Sequence, residues 1–381
     1  MITLEQLNAL APAQFEATLG GVFERSPWVA QCAAPGRPFT SRLQLLDAMR
    51  AAVDEAAPAQ QLALIRAHPQ LGVRGQGVSA LTAVSAGEQR RAGLASCTPA
   101  QAARLEQLNA RYLERFRFPF ILAVRGHDPA SIIATFERRL ESDVESERRT
   151  ALSQIGAIAA YRLADMIAAP AGPEILAMLE RLPRPATSAG PATDAARAMV
   201  REWMQAAGLE VWPAPDTEPV ASHLVGRADG ESSAKALLTG VYHDPRRQLL
   251  RYQGRAGFII AIEVAQQLRH KGVRPAFDLA VLAVSDDASV LDTGSLFDGH
   301  ASHIWTELDA AAAAAADALT AQGVDIVWAL RTAGLGPTAM TLVRQVAAAG
   351  GSSALPAFDA AAAGQAARAL EASLVRVQTA A

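Results

Sequence analysis

The run Arg66-Ala67-His68-Pro69-Gln70-Leu71-Gly72 places an imidazole where a helix has to stop, because proline disfavours the helical conformation of the residue before it. A histidine at that point turns out of the helix barrel toward a groove, and its ordinary pKa suits proton transfer near neutral pH. Taken alone, a His-Pro pair is more often structural. Three further segments carry groups that could work with it. Ser85-Ala86-Gly87-Glu88-Gln89 brings a hydroxyl, a carboxylate and an amide into one helical turn. The segment from Arg117 to Gly126 is apolar, contains Pro119, and can present backbone N–H and C=O groups beside aromatic rings. Ile155, Ile158 and Arg162 follow at helical spacing. Each has a bland reading when isolated: a capping box for Ser85 and Glu88, core for Phe118, Phe120 and Ile121, a surface helix position for Arg162.

The elements that must position these groups read as helix after helix through residue 167. Thr3 caps a helix carrying Leu7, Leu10 and Ala11, and Pro12 opens another with Phe15, Leu19 and Phe23 at fourfold spacing. Residues 40–57 carry Leu43, Leu46, Met49 and Val53. Ser85 with Glu88 opens a helix as a capping box, Thr98-Pro99 opens the next, and Asp128-Pro129 one more. No alternating pattern interrupts them, so the expected fold is an all-α domain over 1–167. Pro, Gly and Ser punctuate 168–192, which reads as a linker holding one short helix. From 193 to 381 strands alternate with helices, at Leu209–Trp212, SHLVGRA, KALLTGVY, a helix at 256–270 and an apolar strand at 277–284. That grammar predicts an α/β domain with a largely parallel sheet. Helices around a strand at Val324–Leu330 complete the expectation.

Bulk properties narrow the function classes. The 381 residues are 50% hydrophobic and 19% charged, enough apolar material for two cores. A net charge of −3, with Lys and Arg dispersed among Asp and Glu, argues against a nucleic-acid partner. Cys32 and Cys97 form no CxxC and suggest neither a disulfide framework nor a cysteine zinc site, which fits a reducing compartment. No signal peptide, bilayer-spanning run or peroxisomal address is read, so the expectation is a soluble, cytoplasmic protein with no membrane partner.

The HPQLG run, then SAGEQ with Ala92-Gly93-Leu94, then FPFI and a late Arg162-Leu163, occur in the order seen in the OHCU (2-oxo-4-hydroxy-4-carboxy-5-ureidoimidazoline) decarboxylase family, which residues 1–167 closely resemble. Arg117 departs from the pattern, since the family usually has glycine before Phe118; the departure should touch backbone conformation rather than chemistry. The resemblance implies an all-α homodimer, a catalytic His68, and substrate contacts at Pro69, Ser85, Glu88, Gln89, Phe120, Ile121, Leu122, Ala123, Val124 and Arg162. It also implies decarboxylation to (S)-allantoin in urate breakdown. The physical logic agrees. A small anionic ureido-heterocycle asks for a cation and for hydrogen-bonding groups, and Arg162 and Gln89 offer both. The adjacent ring C=N can accept the electrons left by CO2, so no organic cofactor or metal is required. His68 would deliver a proton to one face of the ring carbon, with Glu88 orienting the imidazole or the substrate hydroxyl.

Residues 193–300 resemble the first half of the metal-dependent amidohydrolases that include allantoate amidohydrolase, with Thr239–Asp244, Arg251–Gly257 and Val284–Ala288 at the corresponding places. The ligands the family needs are missing. Tyr242 stands for a metal-binding His and neutral Gln253 for a bridging Asp, which cannot hold two divalent ions together. His243 is one position off and so on the opposite strand face. Asp286 and Asp287 replace a Glu pair one methylene longer, a displacement that can cost about 100-fold in rate. Residues 333–337 lack a further family His. The expectation is a degenerate, non-catalytic domain with no metal. The alternatives are a zinc site drawn from His243, Asp244, Asp286, Asp287, His300 or His303, and with it a bifunctional enzyme that also hydrolyses allantoate or a related ureido acid, or a non-enzymatic scaffold with both sites vestigial.

Overall fold

In the computed structural model of the chain, local capping chemistry starts most of the helices that carry the N-terminal half. Residues 1–72, 83–183, 191–212, 224–230, 232–243, 255–275 and 277–285 are described, with 361, 364, 367, 368 and 371. They form two compact units, one from Met1 to Ile167 and one from Ala168 onward.

The first unit holds nine α-helices among its described residues: Leu4–Ala9 (α1), Pro12–Leu19 (α2), Trp28–Ala33 (α3), Arg42–Asp54 (α4), Pro58–Ala67 (α5), Ala83–Arg91 (α6), Pro99–Phe116 (α7), Pro129–Arg139 (α8) and Val144–Met166 (α9). Two-residue strands stand at Ile2–Thr3 (β1) and Ile167–Ala168 (β2). Thr3, Ser41, Thr98, Asp128 and Asp143 each accept a backbone N–H with their side chains at a helix start. Pro12, Pro58, Pro99 and Pro129 occupy first-turn positions, where the missing N–H is no loss. One expected cap differs. Ser85 lies inside α6, in its first turn, because its hydroxyl is drawn into a buried cluster of charges instead of capping the helix.

α9 forms the spine of the unit, burying Ala151, Ile155, Gly156, Ala159, Leu163 and the polar Glu147 and Arg162 along its length. Around Tyr112 of α7 gathers an aromatic cluster. Its ring centroid lies 4.5 Å from Phe116, 5.3 Å from Phe120 and 5.5 Å from Phe136, and Phe120 stacks on Phe136 at 3.8 Å. These rings pin the non-helical segment 117–124 to the core. α7 ends on Arg117, whose φ of 62° is left-handed. The sequence departure from glycine therefore falls at a backbone conformation that glycine adopts without steric cost.

In the second unit, residues 171–181 of the expected linker form a packed helix, α10 (Ala171–Arg181), with Ile175, Met178 and Leu179 buried. It is followed by α11 (Pro191–Ala206), β3 (Glu210–Trp212), β4 (Leu224–Ala228), β5 (Ser232–His243), α12 (Arg255–Lys271) and β6 (Phe277–Ser285). The sheet order is β3-β4-β6-β5. Among the described strands β5 and β6 run parallel, whereas β3–β4 and β4–β6 are antiparallel, so this part of the sheet is mixed rather than largely parallel. The reason is connection length. The helix α12 makes a crossover between β5 and β6, but three residues separate β4 from β5, enough to reverse the chain and too few to return it in the same direction. Tyr242 and His243 end β5 in the backbone trace. Asp244, Gln253, Asp286, Asp287, His300, His303, residues 333–337 and the strand expected at Val324–Leu330 lie outside the described residues. No group of three metal-ligating side chains occurs among the described residues, and no described helix is long and apolar enough to cross a membrane.

Relief of the left-handed strain at position 117 is measurable. Arg117→Gly is expected to raise the unfolding free energy by about 1 kcal/mol in urea denaturation; a lowered midpoint would contradict the strain.

Candidate functional site

His68 sits at the C-terminal end of α5 with extended backbone, φ −77° and ψ 142°, as the following proline requires. Its Nδ1 lies 3.0 Å from the carbonyl of Leu64, one turn back. A carbonyl can only accept, so Nδ1 carries the proton and Nε2 is left with a lone pair. Nε2 is buried and has no hydrogen-bond partner among the described residues, while the ring lines a cavity of about 220 Å³. Burial lowers the imidazole's pKa to about 4, with Arg162 acting the same way and the Leu64 carbonyl and Glu24 working against it. The site thus contains a neutral imidazole in the cavity lining.

Opposite chemistry gathers on Arg162, from the last third of α9. Its Nε and Nη2 donate to the two oxygens of Glu88 at 2.9 and 3.0 Å. Nη2 also donates to the Ser85 hydroxyl at 3.0 Å, and Nη1 to the Glu24 carboxylate at 3.1 Å and to the carbonyls of Gly21 and Val22. All five N–H donors have acceptors in place. Burial opposes the charge, but Glu88 and Glu24 more than offset it and hold the guanidinium's pKa above its usual value. The bidentate edge expected to meet a substrate carboxylate is thus occupied by Glu88, because a guanidinium this buried needs anions beside it in the resting protein.

Gln89 staples the loop that carries His68: its amide oxygen accepts from Gly72 N–H at 3.2 Å and its nitrogen donates to the Gln70 carbonyl at 3.2 Å. The wall formed by the 120–124 segment is fixed by a second buried ion pair. Arg139 donates through Nε to Glu147 at 2.8 Å and through Nη1 to the Ile121 carbonyl at 2.7 Å, and its guanidinium lies 4.5 Å over the Phe120 ring. Tyr112 donates its hydroxyl to the same Glu147 oxygen, and burial first, then that carboxylate, push its pKa far up. Ala123 N–H is held by Gln154 at 2.9 Å.

The cavity is therefore lined by His68, Pro69, Ser85, Glu88, Gln89, Phe120, Ile121, Leu122, Val124 and Arg162 from the sequence reading. Ala123 lies within the same wall segment but is not among the lining residues. Reading the sequence missed Glu24, which stands in an apolar stretch, Leu19–Val29, where a lone carboxylate was the available signal. It also missed Arg125 and Tyr161 in the lining, where Arg125 pairs with Asp165 at 2.8 Å and lies 4.6 Å over the Tyr161 ring. The volume is below that of drug-sized pockets and suits one small heterocycle.

A family model for OHCU decarboxylase matches residues 8–164. A 2-oxo-4-hydroxy-4-carboxy-5-ureidoimidazoline decarboxylase of Haloferax volcanii is 42% identical over 164 residues, covering 43% of this chain and 95% of that protein. A crystal structure of an (S)-allantoin synthase is 30% identical, with a TM-score of 0.37, over 44% of this chain and 54% of that one. An amidase of the hydantoinase/carbamoylase family from Burkholderia multivorans is 18% identical with a TM-score of 0.24 over 29% of this chain and 27% of that one, a likeness too slight to assign fold or activity.

Removing the cation that holds the cavity wall tests the second ion pair. Arg139→Met leaves Glu147 buried without its partner and is expected to lower stability by roughly 3–5 kcal/mol in denaturant unfolding. A loss below 1 kcal/mol would show that the pair does not hold the wall.

Proposed function

Through its helical unit the chain belongs to the OHCU decarboxylase family, and from that premise we propose that it removes CO2 from 2-oxo-4-hydroxy-4-carboxy-5-ureidoimidazoline and leaves (S)-allantoin. The observation that carries the mechanism is a neutral His68, its Nε2 buried and without a hydrogen-bond partner among the described residues, in the lining of the cavity that Glu88 and Arg162 also line.

The substrate's structure sets the atom balance. One ring carbon bears the hydroxyl and the carboxylate; its neighbour bears the ureido group and the ring C=N. When the bond to the carboxylate breaks, its electron pair becomes the double bond between the two ring carbons, and the C=N pair moves onto nitrogen, which takes a proton from solvent. The product is a ring carbonyl beside a carbon bearing hydrogen, so the hydroxyl proton must leave oxygen and a proton must arrive at the ureido-bearing carbon. His68 Nε2 takes the first and returns it as the second. The incoming proton thus ends on the neighbour of the carbon that loses CO2, and a single nitrogen on one side of the ring sets the handedness. Glu88, clamped by Arg162, orients the substrate through its N–H and O–H donors, and the apolar wall at Phe120–Val124 keeps water from the intermediate.

Pro69, Ser85, Gln89 and the 120–124 backbone complete the binding surface in this reading, and the protein works as a cytoplasmic homodimer. Residues 1–167 form the catalytic domain and the remainder a non-catalytic partner domain, a reading supported by the sequence itself: Gln253 cannot bridge two metal ions, and Tyr242 replaces a histidine ligand.

With substrate generated in situ from urate and product followed by circular dichroism, His68→Asn is expected to yield allantoin at the uncatalysed rate and racemic. Enantiopure product at the normal rate would remove the assigned role. Because His68 acts while neutral, activity persists above its folded pKa and falls as pH drops through about 4; an acid limb at the ordinary histidine value of about 6.5 contradicts the burial argument. Metal analysis of the purified chain is expected to find no stoichiometric zinc or manganese, and stoichiometric metal lost on His243→Ala would overturn the reading of the second unit.

A further inference from the structure

We propose that Arg125 binds the substrate's carboxylate, exchanging its internal partner Asp165 for it, so that the site favours the ureidoimidazoline over its decarboxylated product. The identity of the anion rests on the decarboxylase reading, and the place that receives it rests on geometry.

Arg125 reaches the cavity because the wall segment ends in a tight turn. His127 N–H donates to the Val124 carbonyl at 3.0 Å, which places Arg125 and Gly126 at the corner. The φ of 79° at Gly126 is the left-handed value that the third position of such a turn takes, and glycine adopts it without steric cost. Both corner residues line the cavity. On α9, Tyr161 and Asp165 stand one turn apart and receive the guanidinium together. Its central carbon lies 4.6 Å over the Tyr161 ring, and Nη2 donates to Asp165 Oδ2 at 2.8 Å. Contact with the ring leaves the N–H groups to carry hydrogen bonds, so an acceptor can change while the guanidinium stays in place.

Charge and exposure decide which cation an arriving carboxylate meets. Glu88, Arg125 and Arg162 are the charged side chains among the described lining residues. Arg162 is matched by Glu24 and Glu88, two carboxylates against one guanidinium, so that cluster carries one net negative charge and repels an anion. Its pair with Glu24 is also dry, with side chains 5% and 2% exposed, and breaking it strands a buried charge. Arg125 and Asp165 sum to zero and keep 20% and 31% of their side chains exposed. Both make further contacts of their own, so the carboxylate exchanges with a partner instead of filling a gap. Water takes up the released Asp165, which keeps the cost of exchange small. Once CO2 has left, the product carries no anion and Asp165 regains the guanidinium.

Initial rates of the full chain on ureidoimidazoline generated from urate give KM and kcat, with allantoin as a competitive inhibitor that lacks the carboxylate. Arg125→Gln is expected to raise KM roughly 10- to 100-fold, to change kcat far less, and to leave the allantoin inhibition constant at its wild-type value. Asp165→Asn removes the internal competitor and is expected to lower KM about two- to fivefold.

An unchanged KM in a folded Arg125→Gln protein overturns the proposal. So does a fall confined to kcat, or an equal loss of substrate and allantoin binding, which marks a merely structural role. An unchanged or raised KM in Asp165→Asn overturns the exchange, and this variant alone decides if Arg125→Gln does not fold. A wild-type chain that fails to turn over the ureidoimidazoline removes the decarboxylase reading instead. Calorimetry with hydantoin-5-acetate and hydantoin, a ring with a carboxylate and the same ring without one, then decides Arg125. Tighter binding of the carboxylate, lost in Arg125→Gln, supports the assignment; equal, absent or unaltered binding overturns it.

Discussion

The hydrogen bond between His68 Nδ1 and the Leu64 carbonyl constrains the chemistry of the helical unit. It arises from the chain's own punctuation: Pro69 ends α5, the last turn leaves a carbonyl in need of a donor, and the imidazole fills that need. The tautomer is then fixed, because Nδ1 must hold the proton. Burial disfavours the imidazolium, so the second nitrogen stays an acceptor down to strongly acidic pH. In the proposed mechanism an imidazole held in one orientation at the cavity returns its proton to one face, which makes a reaction with an intrinsic electron sink stereospecific.

Two buried ion-pair assemblies, both anchored on α9, hold the remaining walls. Arg162 joins α6 and the α2–α3 loop through Glu88, Ser85 and Glu24. Glu147, about four turns earlier, holds Arg139 and Tyr112, and Arg139 reaches the Ile121 carbonyl and the Phe120 face. Neither assembly is an argument for stability, since desolvating such charges costs about what their attraction returns. Their effect is geometric: breaking either one leaves an uncompensated buried charge, so the cavity keeps a single arrangement.

Much of this was legible in the residues. Proline and hydroxyl or carboxylate caps at Thr3, Pro12, Thr98 and Asp128 gave helix starts close to those observed, because capping is a local interaction. His68 was legible for the same reason. Ser85 was misread as a cap, since its partner Glu24 lies 61 residues away and no local pattern encodes that distance. Arg162 was identified, but its engagement by Glu24 and Glu88 was not, because both lie far from it in the sequence. Among the described residues of the second unit, up to Ser285, the expected strands and helix lie close to the observed ones. The strand directions were not, because they depend on the short β4–β5 connection rather than on strand–helix alternation.

The protonation state of one ring decides the account. Nitrogen-15 correlation spectra of the full chain, with His68 assigned by comparison with His68→Asn, report tautomer and charge at each pH. A neutral ring protonated at Nδ1, with no titration between pH 8 and about 5, is expected. A ring protonated at Nε2, or one that gains its second proton near pH 6.5, would contradict it.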